Sequence, residues 1–197
     1  MRKFTRATTP KILEDNWEQW GNEFAEKRNL DSVYKFNWKT ITGSSVNHII
    51  LPTLKNQTDN HCSFCDKYPL DRGDNTIDHF KPKHNPLYYT LVYNWFNLYL
   101  ACDACQGAKG IKYNDELLRP DDFTYSFNEY FDYNFTTHEI LPNPNQSDSN
   151  INKASTTIET FDLNYDGLKT ARRHAFEKYN GDDNPVISDY NFRFMFD

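Results

Sequence analysis

The chain has 197 residues, enough for one compact domain with a real core or for one module with appended helices. Hydrophobic residues make up 38% and charged residues 25%, and no apolar run reaches membrane-spanning length; the longest, Trp95 to Ala101, is interrupted by Asn97. A net charge of −6 argues against a free-standing, salt-driven binder of nucleic acid and leaves any such affinity to a metal, a local basic strip or a partner subunit.

Met1-Arg2-Lys3-Phe4-Thr5-Arg6 is charged with no apolar stretch behind it, so no signal peptide is expected and the expected compartment is the cytoplasm. Residues 9 to 28 read as an amphipathic helix. Thr9 is placed to cap it, Pro10 suits the first helical position, and Ile12, Leu13, Trp17, Trp20 and Phe24 recur at helical spacing. A second short helix is expected within 44 to 57, where Val46, Ile49, Ile50 and Leu54 share a face and Pro52 would bend it. From residue 61 the helical period is lost. A strand is expected at Asn75 to Phe80 after a turn at Asp71-Arg72-Gly73-Asp74, and a second at Trp95 to Ala101. Cys102 to Lys109 has the length of a short closing helix. Leu141 to Asn150 is the clearest loop, followed by helices at Ala154 to Phe161 and Asp166 to Tyr179. Gly181 to Asp197 has no strong period, and its aromatic end is free to pack back or to meet a partner. The expected division is an N-terminal helical segment over 1–60, a stapled centre over 61–120 and a C-terminal loop and helical extension over 121–197. Thirteen Tyr and fifteen Phe predict a core built from large rings.

All four cysteines fall in two C-x-x-C pairs, Cys62-Ser-Phe-Cys65 and Cys102-Asp-Ala-Cys105. Two such knuckles offer four thiolates to one tetrahedral ion, the arrangement of a structural zinc site. Two disulfides are disfavoured in a cytoplasmic chain. A redox C-x-x-C calls for one pair beside a βαβ unit, not two. His61 adjoins Cys62 but, with four thiols at hand, reads as a bystander. The chain between the knuckles is long and must hold a folded insert.

That insert carries Thr76-Ile77-Asp78-His79-Phe80-Lys81-Pro82-Lys83, then Trp95-Phe96-Asn97-Leu98-Tyr99-Leu100-Ala101, then the second knuckle and Gln106-Gly-Ala-Lys109-Gly110. In this order the residues resemble the HNH endonuclease superfamily in its zinc-stapled form. The stretches IDHFKPK, YNWFNLYLACDACQGAKG and LLRPDD, with MRKFTR near the start and TTIETFDLNYDGLKTARRHAFE near the end, are most similar to the PtuB-like HNH proteins of Septu-type antiphage systems. The resemblance touches most of the chain and is weak over 30–60 and after 180. It implies an α+β fold: a ββα-metal core stapled by a four-cysteine zinc site, with flanking N- and C-terminal helices. It also implies a metal-dependent endonuclease hydrolysing phosphodiester bonds, DNA ahead of RNA, in antiphage defence with a PtuA-like ATPase and no membrane.

An imidazole titrating near ~6.5 can take a proton from water at neutral pH, and the resemblance makes His79 that general base. Asp78 and Gln106 would hold a catalytic Mg²⁺ or Mn²⁺, which stabilises charge at the phosphate and the leaving 3′-oxygen. By the same resemblance Asn97 would hold the loop and orient His79, and Lys109 would clamp phosphate, with Lys81 and Lys83 as further candidates. Gln106 departs from the family's usual Asn or His, and its extra methylene moves the amide oxygen by roughly one bond length, ~1.5 Å. The alternative is a catalytically weakened or inactive HNH-derived zinc scaffold or nucleic-acid adapter. His84 reads as solvent-facing, and His48, His138 and His174 lie outside any constellation. Arg172-Arg173 reads as a solvated helix face ahead of a phosphate contact.

Overall fold

The computed structural model describes residues 1–70 and 76–196. The turn expected at Asp71 to Asp74, and Asn75 at the head of the first strand, lie outside the described residues.

The N-terminal periodicity produces two helices, α1 (Lys11–Glu14) and α2 (Trp17–Leu30), in place of one. The break falls where Asn16 turns its amide back onto the Ile12 carbonyl at 2.9 Å, the local bonding by which Asn competes with a helix. Pro10 precedes the first turn and is not part of it. Leu13, Trp20 and Phe24 are buried. Gly21 allows a close approach: a Cβ there would stand 2.1 Å from the Thr90 carbonyl oxygen, so α2 lies directly on the backbone of the later chain. A tight hairpin of β1 (Thr40–Ile41) and β2 (Ser44–Ser45) leads into α3 (Val46–Gln57). That helix buries Val46, Ile50 and Leu54, leaves Ile49 39% exposed, and carries Pro52 inside it.

The centre is a strand, a strand and a helix. β3 (Thr76–His79) pairs antiparallel with β4 (Leu98–Ala101), Thr76 opposite Ala101 and His79 opposite Leu98. α4 (Asp103–Lys109) follows directly, with Cys102 at its N-cap. All four residues of β4 are buried, which is why it reads as an apolar run without alternation. It starts later than expected, because the Asn94 side chain accepts from the Phe96 N–H and winds Trp95–Asn97 into a 3-10 turn. Two stretches distant in sequence are bolted to β4. Asp121 accepts from Arg6 Nε at 2.9 Å and from the Tyr99 hydroxyl at 2.5 Å, while Arg6 also donates to the Leu98 carbonyl at 2.8 Å.

The C-terminal part opens with α5 (Phe127–Tyr130) and a hairpin of β5 (Phe131–Asn134) and β6 (Glu139–Pro142), an element the sequence does not announce. The expected loop over 141–150 shrinks accordingly, with Pro142 closing β6 and Ser147 capping α6 (Asp148–Phe161) through the Asn150 N–H. α7 (Asp166–Asn180) completes the helices. The fold is therefore α+β with small two-stranded sheets, and one buried cluster runs through residues from Met1 to Met195. No described helix is long and apolar enough to cross a membrane.

The tail packs back onto the first knuckle. Arg193 Nη2 lies 2.8 Å from Asp66 Oδ1 and Nη1 lies 2.7 Å from Asp59 Oδ2, and the Arg193 backbone N–H donates to Asp66 Oδ2 at 2.6 Å. Asp66 and Arg193 are both buried. Removing one partner of a buried ion pair strands the other, at a cost of about 3–5 kcal/mol. Arg193→Ala is expected to lower the urea-unfolding free energy by about that amount. A loss within about 1 kcal/mol would mean that the tail does not close on the knuckle in solution.

Candidate metal centre and the His79 site

The four sulfurs of Cys62, Cys65, Cys102 and Cys105 lie within 4.8 Å of one another, all buried and all free thiols. Cys65 Sγ and Cys102 Sγ are 3.6 Å apart. Zinc bonds of ~2.3 Å in a tetrahedron place sulfurs ~3.8 Å apart, so the set is positioned to hold a metal ion and is consistent with structural zinc. The backbone supports this use. In the first knuckle the Asp66 N–H returns to the Cys62 carbonyl at 2.9 Å. Cys102, capping α4, receives the Cys105 N–H on its sulfur at 3.5 Å, and its own N–H points to Cys62 Sγ at 3.3 Å.

Without a cation, four thiols this close cannot ionise together. Burial pushes the Cys62 thiol up, but hydrogen bonds from Cys102, Cys105 and Cys65 outweigh it and hold it well below its ordinary value. Cys65 and Cys105 are driven well above theirs, chiefly by Cys102. A divalent ion removes that conflict by stabilising every thiolate at once. Arg172 adds positive charge nearby, its guanidinium interacting with Cys65 and Cys105. The expectation of a solvated helix face for Arg172-Arg173 is thus half corrected. Arg173 is exposed, but Arg172 is 0% exposed and donates to the His138 carbonyl at 2.7 Å and to the Leu163 carbonyl. Those acceptors hold both Nη atoms inside the fold and leave the side chain unable to reach a phosphate outside. His61 is buried with Nδ1 on the Asp59 carbonyl and Nε2 on the Tyr190 carbonyl, apart from the thiol cluster.

Neighbours on a strand face opposite ways, and β3 uses this to give Asp78 and His79 separate surroundings. Asp78 turns to α4, its Oδ2 3.0 Å from Lys109 Nζ. Burial raises the carboxyl above its ordinary value and Lys109 only partly offsets this. The phosphate clamp expected at Lys109 meets a different setting. Its side chain is 0% exposed, and the ammonium also donates to the His79 carbonyl at 2.7 Å, so it stands as the counter-charge of Asp78. Gln106, half-buried one turn earlier on α4, donates its amide to the Ile77 carbonyl at 3.3 Å.

His79 is 4% exposed. Its Nε2 lies 2.9 Å from the Val92 carbonyl, which can only accept, so Nε2 carries the hydrogen. Nδ1 makes no hydrogen bond among the described residues. Burial first, and then Lys83, lower the imidazole to about 3, well below the ~6.5 expected from the sequence, so the ring is neutral, Nδ1 keeps its lone pair, and the ring is a weaker base than expected. Phe36 meets the ring edge-on at 5.1 Å and Trp38 stacks on it at 5.8 Å. Sequence reasoning missed both. Asn97 fixes the loop that leaves β3: its Oδ1 accepts from the Lys81 N–H at 2.7 Å, and its Nδ2 donates to the Lys81 and Leu91 carbonyls at 3.1 Å each. Both ends of the amide are engaged in holding this loop. Lys81 lies over the rings of Tyr88 and Tyr113, and Lys83 over Phe36.

Asp78, His79, Asn97, Gln106 and Lys109 thus gather on one strand, strand and helix unit stapled by the cysteines. Among the described residues the cysteines are the only group of three or more His, Cys, Asp or Glu side chains near enough to hold an ion. Outside the thiol cluster, the candidate oxygen donors on this unit are the Asp78 carboxylate, whose buried Oδ2 has the Lys109 ion pair but no hydrogen-bond partner among the described residues, and the Gln106 amide oxygen. No family model matches the chain, and no curated protein matches it either.

Proposed function

We propose that this protein is a zinc-stapled, HNH-type endonuclease that hydrolyses phosphodiester bonds with His79 as its general base, DNA ahead of RNA. The observation that carries the reading is the His79 hydrogen bond. With Nε2 tied to the Val92 carbonyl, the neutral ring presents Nδ1 as its one basic atom, on the strand whose next side chain is a carboxylate. Nδ1 takes a proton from water, the water oxygen attacks phosphorus, and the bond to the 3′-oxygen breaks; that oxygen takes a proton from solvent water and the imidazolium returns its own to solvent. Asp78 and the Gln106 amide oxygen would hold Mg²⁺ or Mn²⁺, which would stabilise the charge that grows on the phosphate. Asn97 keeps the loop after β3 closed so that the imidazole stays aimed. The resemblance to PtuB-like proteins extends the proposal to antiphage defence in the cytoplasm with a PtuA-like ATPase, and the net charge of −6 fits affinity borrowed from such a partner.

A second reading has its own support. Asp78 already has Lys109 as its counter-charge, and Gln106 turns its amide nitrogen onto the Ile77 carbonyl, as a zinc scaffold without chemistry would allow. Metal-dependent cutting separates the two. Incubated with supercoiled plasmid, single-stranded DNA and RNA in Mn²⁺, the wild-type protein is expected to cut, and Asp78→Asn, which keeps the shape and an acceptor for Lys109, to cut at least tenfold more slowly. Equal cutting by both proteins would remove Asp78 from the site. No cutting of any substrate, with one tightly held zinc per chain and no second ion, would establish the scaffold.

A further inference from the structure

Beside His79 lies a cavity of about 560 Å³, within the ~300–1,000 Å³ range of ligand pockets. Its walls are the C-terminal half of α2, the irregular chain after it, and the loop that leaves β3. Arg28, Lys35, Lys83 and His84 line it together with the rings of Tyr34 and Phe36, and no carboxylate does. None of those basic side chains has an ion-pair partner among the described residues, although the chain as a whole is acidic. Burial, then the Lys83 and Arg28 cations, hold His84 below its ordinary value, and the one acid felt by Lys83, Asp78, does not line the cavity. Lys83 stands over the Phe36 ring at 5.6 Å, and Phe36 in turn touches the His79 imidazole. One ring therefore serves as the wall of both places.

Unpaired cations around half-buried aromatic faces match the two halves of a nucleotide, a phosphate for the charges and a base for the rings. In an intact duplex the base faces are stacked and closed to such a pocket. We infer that this cavity seats one unpaired nucleotide next to the phosphate presented to His79, and that the substrate is single-stranded or locally unpaired nucleic acid. The inference deepens the nuclease proposal, yet binding can be measured without cutting.

The test is fluorescence anisotropy in EDTA with a labelled twelve-nucleotide single strand, as DNA and as RNA, and with the same sequence as a duplex. Single strands are expected to bind at least tenfold more tightly than the duplex. Lys35→Glu changes an exposed residue with no ion-pair partner, and Lys83→Gln keeps most of the side-chain length. Each is expected to weaken single-strand binding about tenfold. Lys83→Gln is also expected to flatten the salt dependence by about 0.7 in log–log slope, the value for one phosphate left without its cation. An abasic residue in the strand is expected to cost at least fivefold through weaker stacking. Equal affinity for duplex and single strand, or no effect of either substitution, overturns the inference. Single-strand binding with no cutting would keep the pocket and remove the nuclease; cutting of duplex by Lys35→Glu and Lys83→Gln at wild-type rates would do the reverse.

Discussion

Replacing Cys62 with serine, or stripping the bound ion with a strong chelator, is expected to unfold the centre of the molecule. The reason is how little these short elements can hold by themselves. β3 and β4 have four residues each, and a lone hairpin of that size is marginal in water. α4 has seven residues, well short of the ~12–15 at which an isolated helix becomes marginally stable. What joins these pieces to the first knuckle is the ring of four sulfurs, with one backbone bond beside it from the Ser63 N–H to the Leu100 carbonyl at 2.9 Å. Apparent binding energies of about 10–16 kcal/mol for a structural zinc at pH 7 match or exceed the roughly 5–15 kcal/mol of a whole domain's stability, so loss of the ion outweighs any surface contact. Metal analysis of the purified protein is expected to find one zinc per chain. Cys62→Ser is expected to lose its near-ultraviolet circular dichroism and its cooperative melting transition, and the chelated wild type to follow it. A chelated protein that kept both would show that the cysteines serve some other end. Arg193→Ala provides a useful contrast, because it loosens the same knuckle by a few kcal/mol without touching a sulfur.

The same contrast marks what was legible in the sequence. Two C-x-x-C pairs state their purpose in their spacing, and the structure brings all four sulfurs together. The strand, strand and helix between and after them were legible because an apolar run and a short capped segment fall at fixed offsets from the knuckles. Helices α6 and α7 announced themselves by period and gained only their ends. The β5–β6 hairpin did not, since its turn uses left-handed His138 and no Asn-Gly or Asp-Gly pair marks it. Phe36 and Trp38 were hidden for a related reason. They sit in an irregular stretch whose side chains meet His79 only through tertiary packing, which no local period records. The position of Lys109 could not be read either: whether a lysine near an aspartate faces a phosphate or the aspartate depends on which side of β3 the helix lies. Arg193 reaches back across the chain to Asp66, a contact with no local signature at all.

Substituting His79 by alanine is expected to slow phosphodiester cleavage by about 10²–10⁴-fold, the usual contribution of a positioned general base. The size of the effect follows from the absence of a substitute. Lys83 and Lys109 bear positive charge near the ring, Asn97 is spent on the loop, and the Asp78 carboxylate faces the other side of β3 toward Lys109. Truncation also has a structural cost, since it leaves a cavity under Trp38 and frees the Val92 carbonyl. A fall in rate alone would therefore not separate chemistry from damage. Zinc content and melting temperature measured beside the rate make the first control, and chemical rescue makes the second. The space vacated beneath Phe36 and Trp38 has the shape of the missing ring, so imidazole added to the buffer is expected to restore part of the activity in His79→Ala and none in Asp78→Asn. Rescue that rises with the concentration of neutral imidazole would identify a proton acceptor at this position. A folded, zinc-replete His79→Ala protein that cuts as fast as wild type would remove His79 from the mechanism and leave the aromatic cage around it as ordinary core.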